Sequence, residues 1–113
     1  MDQQLELILE LWEPLQPLNI RKMFGGYGVF KDGVMFAIFI GGVLYLKVDH
    51  LTSSDFSKRS LRPFSYERID KVGKKKTIEL SFFEVPLDIY DEPPMAIEWA
   101  RKALGAALRV KNA

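Results

Sequence analysis

The stretch "GVFKDGVMFAIFIGGVLYLKVD", residues 28–49, constrains the fold more than any other part of the chain. Its apolar, β-branched and aromatic runs are separated only by Lys31-Asp32-Gly33 and by Gly41-Gly42, and glycine-bearing turns this short close hairpins. A three-stranded antiparallel meander follows. Its middle run, Val34–Ile40, is apolar at every position, whereas a sheet with one wet face should alternate. The second face therefore needs cover, either from long side chains of neighbouring strands or from a second copy of the chain. Phe36 and Ile38 are the residues through which such a homodimer would pack.

The segments around the meander complete a small domain. Leu5, Ile8, Leu9, Leu11, Trp12 and Leu15 recur at helical spacing until Pro14 and Pro17 make continuation costly. After the meander, "DHLTSSDFSKRSLRP" offers Thr52, Ser53 or Ser54 as N-caps of a short, half-exposed helix that Pro63 ends. "FSYERI" and "KTIELSFFEV" flank the turn "DKVGKK" as a second hairpin, with Ile78, Leu80 and Phe82 on one face and Thr77, Glu79 and Ser81 on the other. From about Pro94 to Val110, a stripe of Ala96, Trp99, Ala100, Ala103, Leu104, Ala107 and Leu108 marks the strongest helix. The predicted fold is α+β and two-layered, a five-stranded antiparallel sheet with helices on one face, in the order α-β-β-β-α-β-β-α. At 113 residues, without repeat, linker or low-complexity segment, the chain reads as a single domain, residues 1–113.

Composition narrows the function classes. The absence of cysteine removes disulfides, thiol nucleophiles and cysteine-ligated metal sites, and fits a reducing compartment. Acidic residues run through the apolar N-terminal stretch, which is not a signal peptide, and no later stretch reaches the length of a membrane span. A cytoplasmic protein with no membrane partner is expected. The net charge of +1 supplies no whole-protein field for nucleic acid, so any such surface must be local.

"RKMFGGYGVF", residues 21–30, invites a phosphate-loop reading. Gly26-Tyr27-Gly28 lacks the third glycine of the dinucleotide fingerprint, and a strand rather than a helix follows. The glycines are instead expected at a bend or bulge entering a strand, where Gly25, Gly26 or Gly28 takes a positive φ or presses against a neighbour. Catalytic constellations are equally thin. His50 is the single histidine; Asp49 beside it, the serines Ser53, Ser54 and Ser57, and Asp55 have neither triad nor metal-ligand spacing. Glu67, Asp70, Glu79 and Glu84 read as exposed charges rather than an acid/base pair. No catalytic residue, cofactor or metal site is assigned, and the expectation is a protein that is not an enzyme. Arg68, Lys71, Lys74, Lys75 and Lys76 gather at the second hairpin's tip, with Phe64 and Tyr66 upstream. They are candidates for nucleic-acid contact, although lysines at a strand turn also discourage edge-to-edge aggregation.

The blocks "RKMFGGYGVFKDGVMFAIFIGGVLYLKVD", "PFSYER", "LSFFEVP" and "EWARKAL", in this order from Arg21 to about Leu108, resemble the N-terminal domain of the TfoX family, also called Sxy. These are bacterial regulators of competence for DNA uptake. The matching motif positions are Arg21, Met23, Phe24, Gly25, Gly28, Gly33, Met35, Phe36, Tyr45, Lys47, Tyr66 and Trp99. The resemblance implies a two-layer α+β domain and positive control of DNA-uptake genes, in which the family acts with the cyclic-AMP receptor protein; the expectation is a domain acting through protein contacts, with that protein or RNA polymerase as the candidate partner. The resemblance adds no catalytic residue. Full-length regulators of the family carry a second, helical C-terminal domain that these 113 residues do not contain, so the chain is either a piece of a longer protein or a stand-alone member of the family; in the second case direct DNA binding is less expected, given the net charge of +1. The alternative is a small-ligand or enzymatic domain with a pocket between sheet and helices, lined by Phe24, Phe83 and Trp99.

Overall fold

The computed structural model describes residues 1–112. Helix α1 (Gln3–Leu11) starts at Asp2, whose carboxylate accepts hydrogen bonds from the Gln4 and Leu5 amides, and it passes into a 3-10 turn, Glu13–Leu15, at Pro14. Four strands follow: β1 (Asn19–Met23), β2 (Gly26–Lys31), β3 (Val34–Ile40) and β4 (Val43–Lys47). Helix α2 (Ser53–Ser57) leads to the hairpin of β5 (Pro63–Ile69) and β6 (Lys75–Glu84), and a 3-10 turn, Leu87–Tyr90, precedes helix α3 (Pro93–Lys111). The sheet is antiparallel, with strand order β1-β2-β3-β4-β6-β5.

The α+β class and the helix-covered sheet agree with the sequence reading, but the sheet has six strands, not five. The additional strand is β1, "NIRKM", an edge strand whose mostly exposed residues carry no apolar run. Of the glycines after it, Gly25 takes the expected positive φ but closes a hairpin instead of bending the entry to a first strand, while Gly26 and Gly28 lie within β2 and press against neighbours, as expected. Three successive two-residue turns join β1 to β4: Phe24-Gly25 (φ 53° and 76°), Asp32-Gly33 (51° and 79°) and Gly41-Gly42 (60° and 77°). Positive φ at both central residues is the requirement of a type I′ turn, whose twist matches that of the strands.

The all-apolar run of β3 is explained by a bulge. Val29 pairs with Ala37 while Phe30 pairs with Met35, so Phe36 is an extra residue in β3. Phe36 and Ala37 therefore both join the core on the helix side, where Phe36 lies 5.3 Å from the Trp12 ring. Ile38, opposite Gly28 and Tyr45, lies on the other face and is 1% exposed. Phe36 as an outward-facing dimer residue is thus corrected, and Ile38 is already covered by its own chain.

The helix side holds the main core. Trp12 is fully buried, and its indole N–H donates to the Ala96 carbonyl at 3.0 Å, so burying it leaves no polar atom unpaired. Phe56 of α2 packs edge-on to Trp99 of α3 (4.8 Å) and against Phe83 of β6 (5.8 Å). In α3 the buried residues besides Trp99 are alanines, Ala96, Ala100, Ala103, Ala106 and Ala107, which let the helix backbone lie close to the sheet. Leu108, expected on the same stripe, is exposed. Among the described residues, no helix is long and apolar enough to cross a membrane.

Candidate functional site

The sheet face away from the helices is where the family-motif side chains gather. The cross-strand pairs Arg21–Gly28, Gly28–Ile38, Ile38–Tyr45 and Tyr45–Glu84 run across it as one row. The Arg21 guanidinium lies 4.7 Å from the centre of the Phe30 ring, and the Lys47 ammonium 5.1 Å from that of Phe82. Burial of Lys47 lowers its pKa, against the pull of nearby Asp49. Tyr45 packs edge-on to Phe64 at 5.0 Å, and its hydroxyl is pushed up by burial first and by the Glu84 charge second. Gly28 completes the row because a side chain there would collide with the Met23 and Met35 sulfurs, 2.7 and 2.8 Å from where a Cβ would stand.

At one end of this face Phe24, Ile40, Phe64, Tyr66 and Leu80 line an apolar groove of about 440 Å³. Phe24 belongs to the β1–β2 turn and Phe64 and Tyr66 to β5, at opposite edges of the sheet, so the sheet must curl to bring them together. Two of the five stand well out of the protein: Phe24 is 71% exposed and Tyr66 45%. The backbone at Phe24 is also unusual: the non-glycine residues with positive φ among those described are Phe24, Asp32 and Ser60, and of these only Phe24 is aromatic. In the other two turns of the meander its place is taken by Asp32 and Gly41, residue types that tolerate a positive φ, whereas an aromatic residue there is strained. Residues held in such sparsely populated conformations cluster at ligand clamps and switch regions, and Phe24 combines that conformation with exposure at the mouth of a groove.

The structure separates the remaining motif positions by role. Gly25 and Gly33 are the second residues of their turns, while Phe36 and Trp99 belong to the core. Phe24 lies on the face opposite Phe83 and Trp99, so the three do not line the pocket expected between sheet and helices; Phe83 and Trp99 fill that space with Phe56. Asp49 does not turn to His50. Its carboxylate accepts from the Arg109 guanidinium, the Leu51 amide and the Thr52 hydroxyl, and the Arg109 bond holds it well below the usual carboxylate range.

Arg68, Lys71, Lys74, Lys75 and Lys76 sit on the β5–β6 hairpin. Of β6 only Phe82–Glu84 pair with β4, and the Ser81 carbonyl accepts from the Val48 amide at 2.9 Å; beyond these residues the hairpin runs on as a two-stranded arm. The groove residue that no sequence pattern singled out is Ile40: it closes an apolar run, and only the curl of the sheet brings it opposite β5.

No curated protein matches the chain. The model of the TfoX N-terminal domain, however, matches residues 10–107, a span from the end of α1 through most of α3 that includes every strand and the groove. The chain belongs to the TfoX N-terminal domain family.

Proposed function

We propose that this chain is a non-enzymatic regulatory domain of the bacterial cytoplasm that acts in positive control of DNA-uptake genes through protein contacts made at the groove. The observation that carries this reading is Phe24: an exposed aromatic held in a left-handed backbone conformation, where asparagine or glycine would serve the turn better. Family membership supports the regulatory role, and an apolar groove rimmed by two exposed aromatic rings suits an apolar anchor on a protein partner. The cyclic-AMP receptor protein and RNA polymerase are the partners to test. A second reading, favoured by the apolar lining, is that another copy of the chain covers the groove and forms a homodimer.

The test is Phe24→Asn, which creates the Asn-Gly pair preferred in type I′ turns. The variant is expected to be more stable by about 1 kcal/mol, since the left-handed penalty for an ordinary residue is about 1–2 kcal/mol. It is also expected to lose capture of the partner on an affinity surface, a loss that unfolding cannot explain. Undiminished capture by the stabilised variant would rule out the groove as the contact. Recovery of only a bound metabolite from the purified chain would favour a small-ligand domain, for which about 440 Å³ is adequate space.

A further inference from the structure

The β5–β6 arm sorts its charges by face. Strand alternation and the pairs Tyr66–Ile78 and Arg68–Lys76 put Arg68 and Lys76 on the groove side, continuous with Tyr66. The pairs Ser65–Glu79 and Glu67–Thr77 put both of the arm's glutamates on the opposite side, and there Lys75 lies 3.9 Å from Glu67. The third acid, Asp70, is turned into the loop, where one carboxylate oxygen accepts from the Val72 and Lys74 amides at 3.0 and 2.9 Å. Lys71 and Lys74 flank that loop at the tip. One side and the tip of the arm thus present four cations, with the Asp70 carboxylate, held by the loop amides, as the one acid between Lys71 and Lys74, although the hairpin as a whole is only weakly basic.

The shape of the arm matches the charge pattern. The residues Lys75–Leu80 precede the part of β6 that is bonded to β4 and to Val48 after it, a reach of roughly 20 Å at about 3.3 Å per residue. A two-stranded ribbon of that kind is one of the two protein elements that the major groove of a DNA duplex admits. We propose that the arm is a duplex-DNA contact, with Arg68, Lys71, Lys74 and Lys76 neutralising phosphates and with little reading of sequence. A site for duplex DNA goes beyond the groove contact and does not depend on it.

The experiment is a salt titration of binding to a fluorescent duplex of arbitrary sequence, followed by anisotropy. Four phosphate contacts give log K against log salt a slope of about −3.6, so affinity should fall roughly 100-fold between about 0.05 and 0.2 M salt. Lys76→Ser should make the slope less steep by about 0.9, whereas Lys75→Ser, its neighbour on the back of the ribbon, should leave it unchanged. Phe24→Asn should leave the slope unchanged as well, which separates failure of this site from failure of the groove. Equal losses from Lys75→Ser and Lys76→Ser would overturn the proposal in favour of a diffuse charge cloud. Tighter binding to the single strand than to the duplex would overturn it in favour of a stacking surface, and so would an absence of binding at about 0.05 M salt, where the electrostatic term is strongest.

Discussion

Gly26 and Gly28 lie two residues apart on one strand, yet a methyl group at each would meet different atoms. At Gly26 a Cβ would collide with the Phe39 carbonyl oxygen, a backbone atom held by the sheet ladder. At Gly28 it would meet two methionine sulfurs, the far parts of flexible side chains that can swing aside. Gly26→Ala is therefore expected to cost about 2 kcal/mol or more, and Gly28→Ala under about 1 kcal/mol, in urea unfolding. A reversed order would show that the methionines are fixed and that β2 and β3 can part. That these glycines serve the backbone was legible in the spacing of "GGYG", because no phosphate motif fits it. Which of them governs a turn and which a close approach was not, since that depends on the atoms across the strand.

At the scale of elements, the helices and five strands could be read from periodicity, whereas β1 could not. An edge strand needs only one partner and hides little apolar surface, so "NIRKM" lacks the pattern that marked the others. The bulge at Phe36 was hidden for the converse reason: where every residue is apolar, a change of face leaves no trace in the sequence. The tie between α3 and the β4–α2 corner was equally invisible, because Asp49 and Arg109 are sixty residues apart. This pair gives the fold an acid sensitivity. Asp49 is depressed in the folded state, so its contribution is present above the unfolded value, about pH 4, and fades as the pH falls toward the lower folded value. Asp49→Asn is expected to lower the urea midpoint at pH 7 and to narrow the gap to the native chain as the pH drops below about 4. A gap that stays constant with pH would mean that the Arg109 contact adds nothing to stability.

The whole molecule presents one covered face and one open face, and the open face carries a contradiction that salt can resolve. Its groove joins residues 24, 40, 64, 66 and 80, which no sequence pattern links; Phe24 and Tyr66 stood out as motif positions, but their meeting depends on the curl of the sheet. The apolar lining favours a second copy of the chain as cover. The charges oppose it, because Arg21, Lys47, Arg68 and Lys76 share this face with a single acid, Glu84. An isologous dimer sets a face against its own image, so cations oppose cations. Salt screens that repulsion and leaves apolar contact intact, whereas it weakens a protein–DNA contact by removing the gain from released counterions. Self-association through this face is therefore expected to strengthen between about 0.05 and 0.5 M salt, the range over which DNA binding by the arm is lost. Light scattering across that range measures it: a molar mass that rises with salt, and that Tyr66→Ser returns to the monomer value, places the dimer on the open face. A monomer at every salt concentration removes the homodimer and leaves the groove to a different protein.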